Sequence, residues 1–207
     1  MKRFIDTLKN IYKIEDLRFR IGTTLFLLLI YRLGSFVSLP GIDPAQLQNL
    51  KSQTSDGLLG LINMFSGGAF AQASIFALGI MPYISASIVI QLLGIAVPYF
   101  QRLQKEGESG RRKINQITRY LTVLILIPQA SAYLANLHVQ LPDTAFGMTG
   151  LWFNIPSIVI LTAGSMFVLW LGERITDKGI GNGISLIIMI GIIARLPQAV
   201  VQEFASR

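Results

Sequence analysis

One apolar run constrains the fold of this sequence more than any other: IFALGIMPYISASIVIQLLGIAVPYF, residues 75–100. It can cross a bilayer, because a spanning helix needs about 20 mainly apolar residues. A weaker apolar piece, residues 57–74, comes directly before it and is interrupted by four glycines and by Asn63 and Ser66. Irregular backbone is tolerated at membrane depth only where protein covers it or where it lines a watery cavity. We therefore predict a re-entrant half-span joined to a helix that lines a pore or a binding site.

The composition places the whole chain in a membrane. Of the 207 residues, 52% are hydrophobic and 14% are charged, whereas roughly 25% charged residues is usual for a soluble domain. Four further apolar runs are long enough to span, at 21–39, 120–138, 154–172 and 184–201. The sequence has no cysteine, which excludes disulfides, thiolate metal sites and cysteine nucleophiles. We predict an all-α polytopic membrane protein that needs no cofactor or metal.

The Lys and Arg residues lie between the apolar runs and predict the topology. Fourteen of the 18 lie in the first 20 residues, in 101–119 and in the turn after the fourth span, and four lie on the other side. Because cytoplasmic loops are enriched in Lys and Arg, we predict a cytoplasmic N-terminus and five crossings. The first 20 residues place apolar residues at helical spacing among basic ones, which is typical of an amphipathic helix on an anionic leaflet. The net charge of +7 therefore needs no nucleic-acid ligand.

Two isoleucine pairs are spaced for a passive seal. Ile80 and Ile84 are four residues apart, as are Ile184 and Ile188, so each pair shares one helix face. If both faces met at one constriction, they would form a dry collar that resists water and ions. The alternative is that these isoleucines face lipid or neighbouring helices.

The chemistry of a coupled transporter or an enzyme is missing from the predicted spans. No acidic or basic side chain lies in the middle of any of them, although ion-coupled transporters and proton relays usually place such groups there. Arg32 lies toward the outer third of the first span. It has two interpretations, a functional group or a side chain that snorkels to the interface, and we favour snorkelling because it lies near a helix end. We predict a passive conduit without covalent catalysis.

Several blocks of the sequence closely resemble the SecY family of protein-conducting channels. They are SFVSLPGID (35–43), FSGGA (65–69), ASIFALGIMPYISASIVIQLL (73–93), KEGESGRRKINQITRY (105–120) and GERITDKGIGNGIS (172–185). The family fold is a pseudo-symmetric pair of five-helix halves around an hourglass pore. The resemblance covers essentially the whole chain and implies that this chain is the N-terminal half of such a channel.

The resemblance assigns roles to particular segments and residues. It makes the segment before the second span the plug, which closes the pore from outside and includes Gly60, Leu61, Ile62, Asn63, Met64, Phe65, Ser66, Gly67, Gly68 and Ala69. It makes the second span a lateral-gate helix. The associated polar residues are Ser85, Ser87, Gln91 and Asn182. The family's pore-ring positions fall on the two isoleucine pairs, Ile80, Ile84, Ile184 and Ile188.

The resemblance also implies a function, a location and partners. A channel of this family translocates unfolded polypeptides across the bacterial inner membrane and inserts helices into it. The implied partners are SecE, SecG, the SecA ATPase or the ribosome, signal peptides, nascent polypeptides, membrane lipid, and the second half of the SecY fold in the same or a separate chain. The candidate contacts for a cytosolic partner are Lys105, Arg111, Arg112 and Lys113, with a merely solvated hairpin as the alternative. The alternative function is half of a secondary transporter with a broken-helix solute site at 66–68.

The predicted organisation follows the chain in order. It comprises an amphipathic helix at 1–20, a first span at 21–39, an external loop at 40–56, the plug at 57–74, a second span at 75–98, a cytoplasmic loop at 99–119, a third span at 120–138, an external loop at 139–153, a fourth span at 154–172, a cytoplasmic turn at 173–183, a fifth span at 184–201 and an external end at 202–207.

Overall fold

The computed structural model describes residues 14–43, 47, 57–142, 145–147 and 150–205. In these residues the fold is all-helical, which confirms the predicted fold class. The described helices are α1 (Glu15–Gly34), α2 (Gly57–Phe65), α3 (Met81–Ala96), α4 (Pro98–Lys105), α5 (Glu108–Gln140), α6 (Leu151–Lys178) and α7 (Gly183–Ala205). Isolated antiparallel bridges join Ser38 to Ser74 and Ile42 to Phe146 between the connecting segments.

The described helices include two or three candidates for membrane spans. Helices α5 and α6 are each long and apolar enough to cross a bilayer. Helices α3 and α4 meet the same standard as one unit, although they are bent by 99° at the break between them. Helix α1 has 20 residues, which corresponds to about 30 Å at 1.5 Å per residue. The described apolar part of α7, Gly183–Ala194, is shorter. Crossings by α1 and α7 therefore stay predictions.

The N-terminal elements have different bounds from the apolar runs. Helix α1 begins at Glu15, before the start of the predicted first span at 21–39, and it ends at Gly34, before the end of that span. The amphipathic helix predicted at 1–20 lies outside the described residues as far as residue 13, and from Glu15 onward it is part of α1. Most of the predicted external loop at 40–56 also lies outside the described residues.

Helix α3 begins later than its apolar run predicts. The sequence indicates a helix from residue 75, but residues 75–80 form turns and α3 begins at Met81. The reason is local: Gly79 takes a positive φ of 52°, which interrupts a right-handed helix. Pro82 then lies in the first turn of α3, where its missing N–H leaves no helical hydrogen bond unmade.

The predicted cytoplasmic loop at 99–119 is a helical hairpin. Helix α4 ends at Lys105, and α5 begins at Glu108 and continues for 33 residues into the third predicted span. Gly107 makes the turn between them with a φ of 71°, a conformation that glycine adopts without steric cost. A Cβ atom at Gly110 would overlap the Leu103 carbonyl, so only a glycine lets the two arms approach this closely.

Two apolar clusters form the described core. One joins α5 and α6 to the residues after α2 and includes Phe70, Leu126, Tyr133, Leu137 and Leu161. The other, which we call the isoleucine cluster, has a buried centre of Leu27, Leu28, Tyr31, Phe76, Ile80, Val168, Leu171, Ile175 and Ile187. Its residues come from α1, α6, α7 and the segment that leads into α3, so these elements share one packed interior.

Glycines allow several of these elements to touch at the level of the backbone. A Cβ atom at Gly164 of α6 would overlap the Ile75 carbonyl, and one at Gly183 of α7 would overlap the Gly172 carbonyl. Helix association in a bilayer depends on such close packing, because lipid tails are as apolar as the side chains they would replace. Through these contacts, α6 packs directly against the turn before α3 and against the start of α7.

Candidate functional site

The structure brings the two isoleucine pairs together. Ile80 is 6% exposed and occupies the position just before α3, and Ile84 lies one helical turn later. Ile184 and Ile188 lie on the first turns of α7. Ile80 is part of the buried centre of the isoleucine cluster, and the other three are partly buried and pack against it. All four therefore lie in one apolar region, packed with residues of neighbouring helices. Their role as a pore ring stays a prediction.

The segment predicted as the plug, 57–74, contains a helix and a turn, and we call it the plug segment. The helix is α2, and the turn that follows it is organised by Asn63, which is 1% exposed. The Asn63 side-chain oxygen accepts the Ala71 N–H at 3.1 Å. Its backbone carbonyl accepts the Gly68 N–H at 2.9 Å and the Ser66 hydroxyl at 3.1 Å. The Ser66 hydroxyl oxygen in turn accepts the Phe70 N–H at 3.1 Å.

These bonds argue against the solute site that the transporter alternative requires. Asn63 and Ser66 are two of the three polar side chains, with Gln72, that the alternative places near its broken helix. Both are buried and both hydrogen-bond to backbone groups of the same segment. Since buried polar groups need partners, their function here is to build the turn, and the transporter alternative is not favoured.

Three helices hold the turn of the plug segment from different sides. From α1, the Tyr31 hydroxyl lies 3.5 Å from the Ser66 carbonyl. From α5, the Tyr133 hydroxyl donates to the Phe70 carbonyl at 2.8 Å. From α7, Gly191 approaches so closely that a Cβ atom built on Gly67 would lie 2.9 Å from the Gly191 Cα. Tyr31 belongs to the isoleucine cluster, so the plug segment and the cluster are in direct contact.

Arg32 has partners in the structure that the snorkelling interpretation did not include. Its Nη1 donates a hydrogen bond to the Gly67 carbonyl at 3.0 Å. The guanidinium carbon also lies 5.1 Å from the centroid of the Phe36 ring, within the range of a cation–π contact. A backbone carbonyl inside the protein is the kind of partner that an intramembrane arginine finds. The sequence could not show this carbonyl, because it becomes available only in the folded turn.

The polar residues assigned to the lateral gate divide into two groups. On α3, the Ser85 hydroxyl donates to the Met81 carbonyl at 3.2 Å, and the Gln91 side-chain amide donates to the Ser87 hydroxyl at 3.3 Å. These bonds stay within α3. A gate role for these three residues is a prediction.

Asn182 has a different position from the one we assigned. Its side-chain oxygen accepts the N–H groups of Ile184 and Ser185 at 3.1 and 3.2 Å. This is the bonding of a helix N-cap, and it begins α7 at the residues that carry Ile184. Asn182 therefore acts on the isoleucine cluster indirectly, by fixing where α7 starts, and it lies on a different element from Ser85, Ser87 and Gln91.

The cationic side chains of the hairpin are exposed. Lys105 and Arg111 are exposed, Arg112 pairs with Glu108 at 2.8 Å, and Lys113 pairs with Glu106 at 3.9 Å. Exposed pairs of this kind contribute about 0–1 kcal/mol each. They leave the charges available to a cytosolic partner, and that contact stays a prediction.

Sequence reasoning missed one link between helices. Arg119 of α5 contacts Glu173 of α6 through two nitrogens, with Nε and Nη2 at 2.9 and 2.7 Å from the two carboxylate oxygens. This fork-to-fork geometry is the strong form of an arginine–carboxylate contact. The partners are 54 residues apart, so no periodic pattern in the sequence could pair them.

The described helices, with two or three candidate membrane spans and two buried apolar clusters, define a polytopic α-helical membrane protein. Among solved structures, the fold is similar to "Sec61 in the Canine ribosome-channel complex from the endoplasmic reticulum", with a TM-score of 0.53 over 86% of this chain and 36% of that one. A second similar structure is described as "The plug domain of the SecY protein stablizes the closed state of the translocation channel and maintains a membrane seal". Its TM-score is 0.57 over 88% of this chain and 36% of that one. Both are 19% identical in sequence, so they establish the fold alone.

Sequence comparison gives the family. The SecY family model matches residues 74–207. The chain is 48% identical over 192 residues to the protein translocase subunit SecY of Rickettsia typhi, covering 92% of this chain and 44% of the relative. It is 49% identical over 191 residues to that of Escherichia coli K12, covering 89% of this chain and 42% of the relative. This chain belongs to the SecY family, and it spans less than half the length of these relatives.

Proposed function

We propose that this chain forms the N-terminal half of a protein-conducting channel, with the plug segment and the isoleucine cluster as its seal. One observation carries the proposal: the plug segment packs against the isoleucine cluster, with the hydroxyl of Tyr31, a member of that cluster, 3.5 Å from the Ser66 carbonyl. A channel needs a barrier that rests closed and that opens without covalent chemistry. An apolar constriction can form such a barrier, and a short movable segment beside it can close and open it.

The physical basis of the seal is the cost of wetting an apolar constriction. A narrow ring of isoleucine side chains offers no hydrogen bonds to water or ions, so both are excluded until a polypeptide fills the ring. In this chain Ile80, Ile84, Ile184 and Ile188 would supply one arc of the ring. The second half of the fold, in the same or a separate chain, would supply the remainder. A passing chain fits such a ring because its side chains replace water.

The proposed orientation places the hairpin of α4 and α5 in the cytoplasm. The distribution of Lys and Arg supports a cytoplasmic N-terminus in the bacterial inner membrane. In that orientation Lys105, Arg111, Arg112 and Lys113 face SecA or the ribosome, and the plug segment faces outward. SecE and SecG would complete the channel. Signal peptides and hydrophobic segments would leave into lipid past α3, the helix that carries Ser85, Ser87 and Gln91.

Cross-linking to a stalled polypeptide tests the proposal. The chain has no cysteine, so a single introduced cysteine in it is unique. We expect cysteines at Ile84 and Ile188, in the complete channel complex, to cross-link to a translocating polypeptide that is stalled in the pore. The matched controls are cysteines at Ile95 of α3 and Ile193 of α7, which are 76% and 47% exposed. A failure of both ring positions, or equal cross-linking at the controls, contradicts the proposed pore.

A further inference from the structure

Two consecutive donors on α1 meet two consecutive carbonyls of the plug segment. The Tyr31 hydroxyl lies 3.5 Å from the Ser66 carbonyl, and the Arg32 Nη1 donates to the Gly67 carbonyl at 3.0 Å. Helix α2 ends at Phe65, so both carbonyls directly follow its last residue. The carbonyl end of a helix carries partial negative charge and favours a cation. The guanidinium therefore lies where the electrostatics of α2 favour it.

We propose that Arg32 is a latch that holds the plug segment in its closed position and must release the Gly67 carbonyl before the channel opens. The inference rests on the proposed function, since it assumes that the plug segment moves. Arg32 acts as a positioning residue, because its contacts are with the Gly67 carbonyl of the plug segment and the Phe36 ring. What it controls is how often the plug segment leaves its place.

The environment makes this hydrogen bond expensive to break. The bond is partly buried, so when the guanidinium and the carbonyl separate, each loses a partner that water replaces only in part. The turn offers no easy replacement, because Asn63 and Ser66 already bond to the backbone groups around it. Release of Arg32 is therefore a cost that opening must overcome, and this cost favours the closed state.

A second contact of Arg32 explains how the latch can release without leaving a bare charge. The guanidinium carbon lies 5.1 Å from the Phe36 ring centroid. Arg32 lies in the last turn of α1 and Phe36 lies two residues beyond the end of that helix. Neither residue belongs to the plug segment. The contact with Phe36 therefore persists when the plug segment moves, whereas the bond to Gly67 is lost. In the open state the Phe36 ring would still provide a cation–π contact for the Arg32 guanidinium.

Ion conductance of the resting channel tests the latch. The measurement uses the complete channel complex in planar bilayers, without a translocating polypeptide. We expect Arg32→Met to raise the open probability about tenfold, which corresponds to about 1.4 kcal/mol. We expect Arg32→Lys to raise it less, since lysine keeps the charge but loses the planar guanidinium. Arg20→Met is the matched control, because Arg20 lies on the same helix and pairs with Asp16 at 3.0 Å, away from the plug segment.

A deletion of residues 60–69 separates the latch from a general structural effect. If Arg32 acts through the plug segment, Arg32→Met adds nothing to the conductance of the deletion variant. An additional rise in that background shows that Arg32 acts elsewhere and overturns the latch. The deletion also tests the proposed function separately. If the deletion raises conductance and Arg32→Met does not, the plug holds but the latch fails. If the deletion itself has no effect, the plug role fails.

Discussion

The contact between Gly67 and Gly191 gives a sharp test of how the plug segment is seated. Gly67 has a φ of 65°, and a Cβ atom on it would lie 2.9 Å from the Gly191 Cα of α7. Gly67→Ala therefore adds two costs. An L-residue in the left-handed region costs about 1–2 kcal/mol. Overpacking against a backbone atom costs about 1–3 kcal/mol more.

Two further glycines separate these costs. Gly181 has a φ of 72° and nothing within 4 Å of an added Cβ, so Gly181→Ala measures the backbone cost alone. Gly191 lies within helix α7, and its added Cβ would lie 3.2 Å from the Phe65 carbonyl oxygen and 3.3 Å from the Gly67 nitrogen. Gly191→Ala therefore measures the contact alone. We expect the order of disturbance of the plug segment to be Gly67→Ala, then Gly191→Ala, then Gly181→Ala.

Hydrogen exchange of the purified complex measures this disturbance directly. The amides of Gly68 and Ala71 bond to Asn63, so they exchange only when the turn opens. A contact cost of about 1.4 kcal/mol or more corresponds to at least tenfold faster exchange. We expect that change in a peptide covering the turn for Gly67→Ala and not for Gly181→Ala. Equal exchange in the two variants would refute the idea that α7 holds the plug segment by close packing.

Three further predictions address the other contacts. Asn63→Leu leaves the buried Ala71 N–H without an acceptor and should lower the free energy of unfolding by about 1–3 kcal/mol; an unchanged midpoint in denaturant would contradict the organising role of Asn63. Glu173→Gln weakens the contact with Arg119, and because that pair is partly exposed we expect a loss below about 1 kcal/mol. A loss of several kcal/mol would show that the pair is part of a larger network. Ile84→Ser should raise the ion leak of the resting channel, since a hydroxyl lowers the barrier to wetting; unchanged conductance in planar bilayers would count against the collar.

Much of this fold could be predicted from hydrophobic periodicity. The apolar runs place α1, α3, α5, α6 and α7 in the correct order, and four-residue spacing puts the two isoleucines of each pair on one helix face. The reason is that a membrane helix forms within its own segment, so length and composition carry most of the information. The interruption of residues 57–74 by glycines and polar residues likewise predicts a short helix followed by irregular backbone.

The remaining features depend on contacts that become possible only after folding. Met81 begins α3 because the backbone turns at Gly79, and an apolar run gives no sign of this turn. Arg32 donates a hydrogen bond to a carbonyl 35 residues away, and no pattern of side chains in the sequence predicts a backbone acceptor. Asn182 belongs to the start of α7 because its side-chain oxygen accepts the Ile184 and Ser185 amides, a local role that the assignment to the lateral gate did not include.

The glycine contacts of α6 have a consequence for how this protein tolerates change. Three of the ion pairs described above are exposed and the Arg119–Glu173 pair is partly exposed, and exposed charges are screened by salt. The contacts of Gly164 with the Ile75 carbonyl and of Gly183 with the Gly172 carbonyl are steric, and ionic strength does not alter them. The arrangement of helices is thus indifferent to the salt content of the surroundings but intolerant of a single added methyl group at these two positions. Mutational sensitivity here follows backbone proximity, so the smallest side chains in the chain are among the least replaceable.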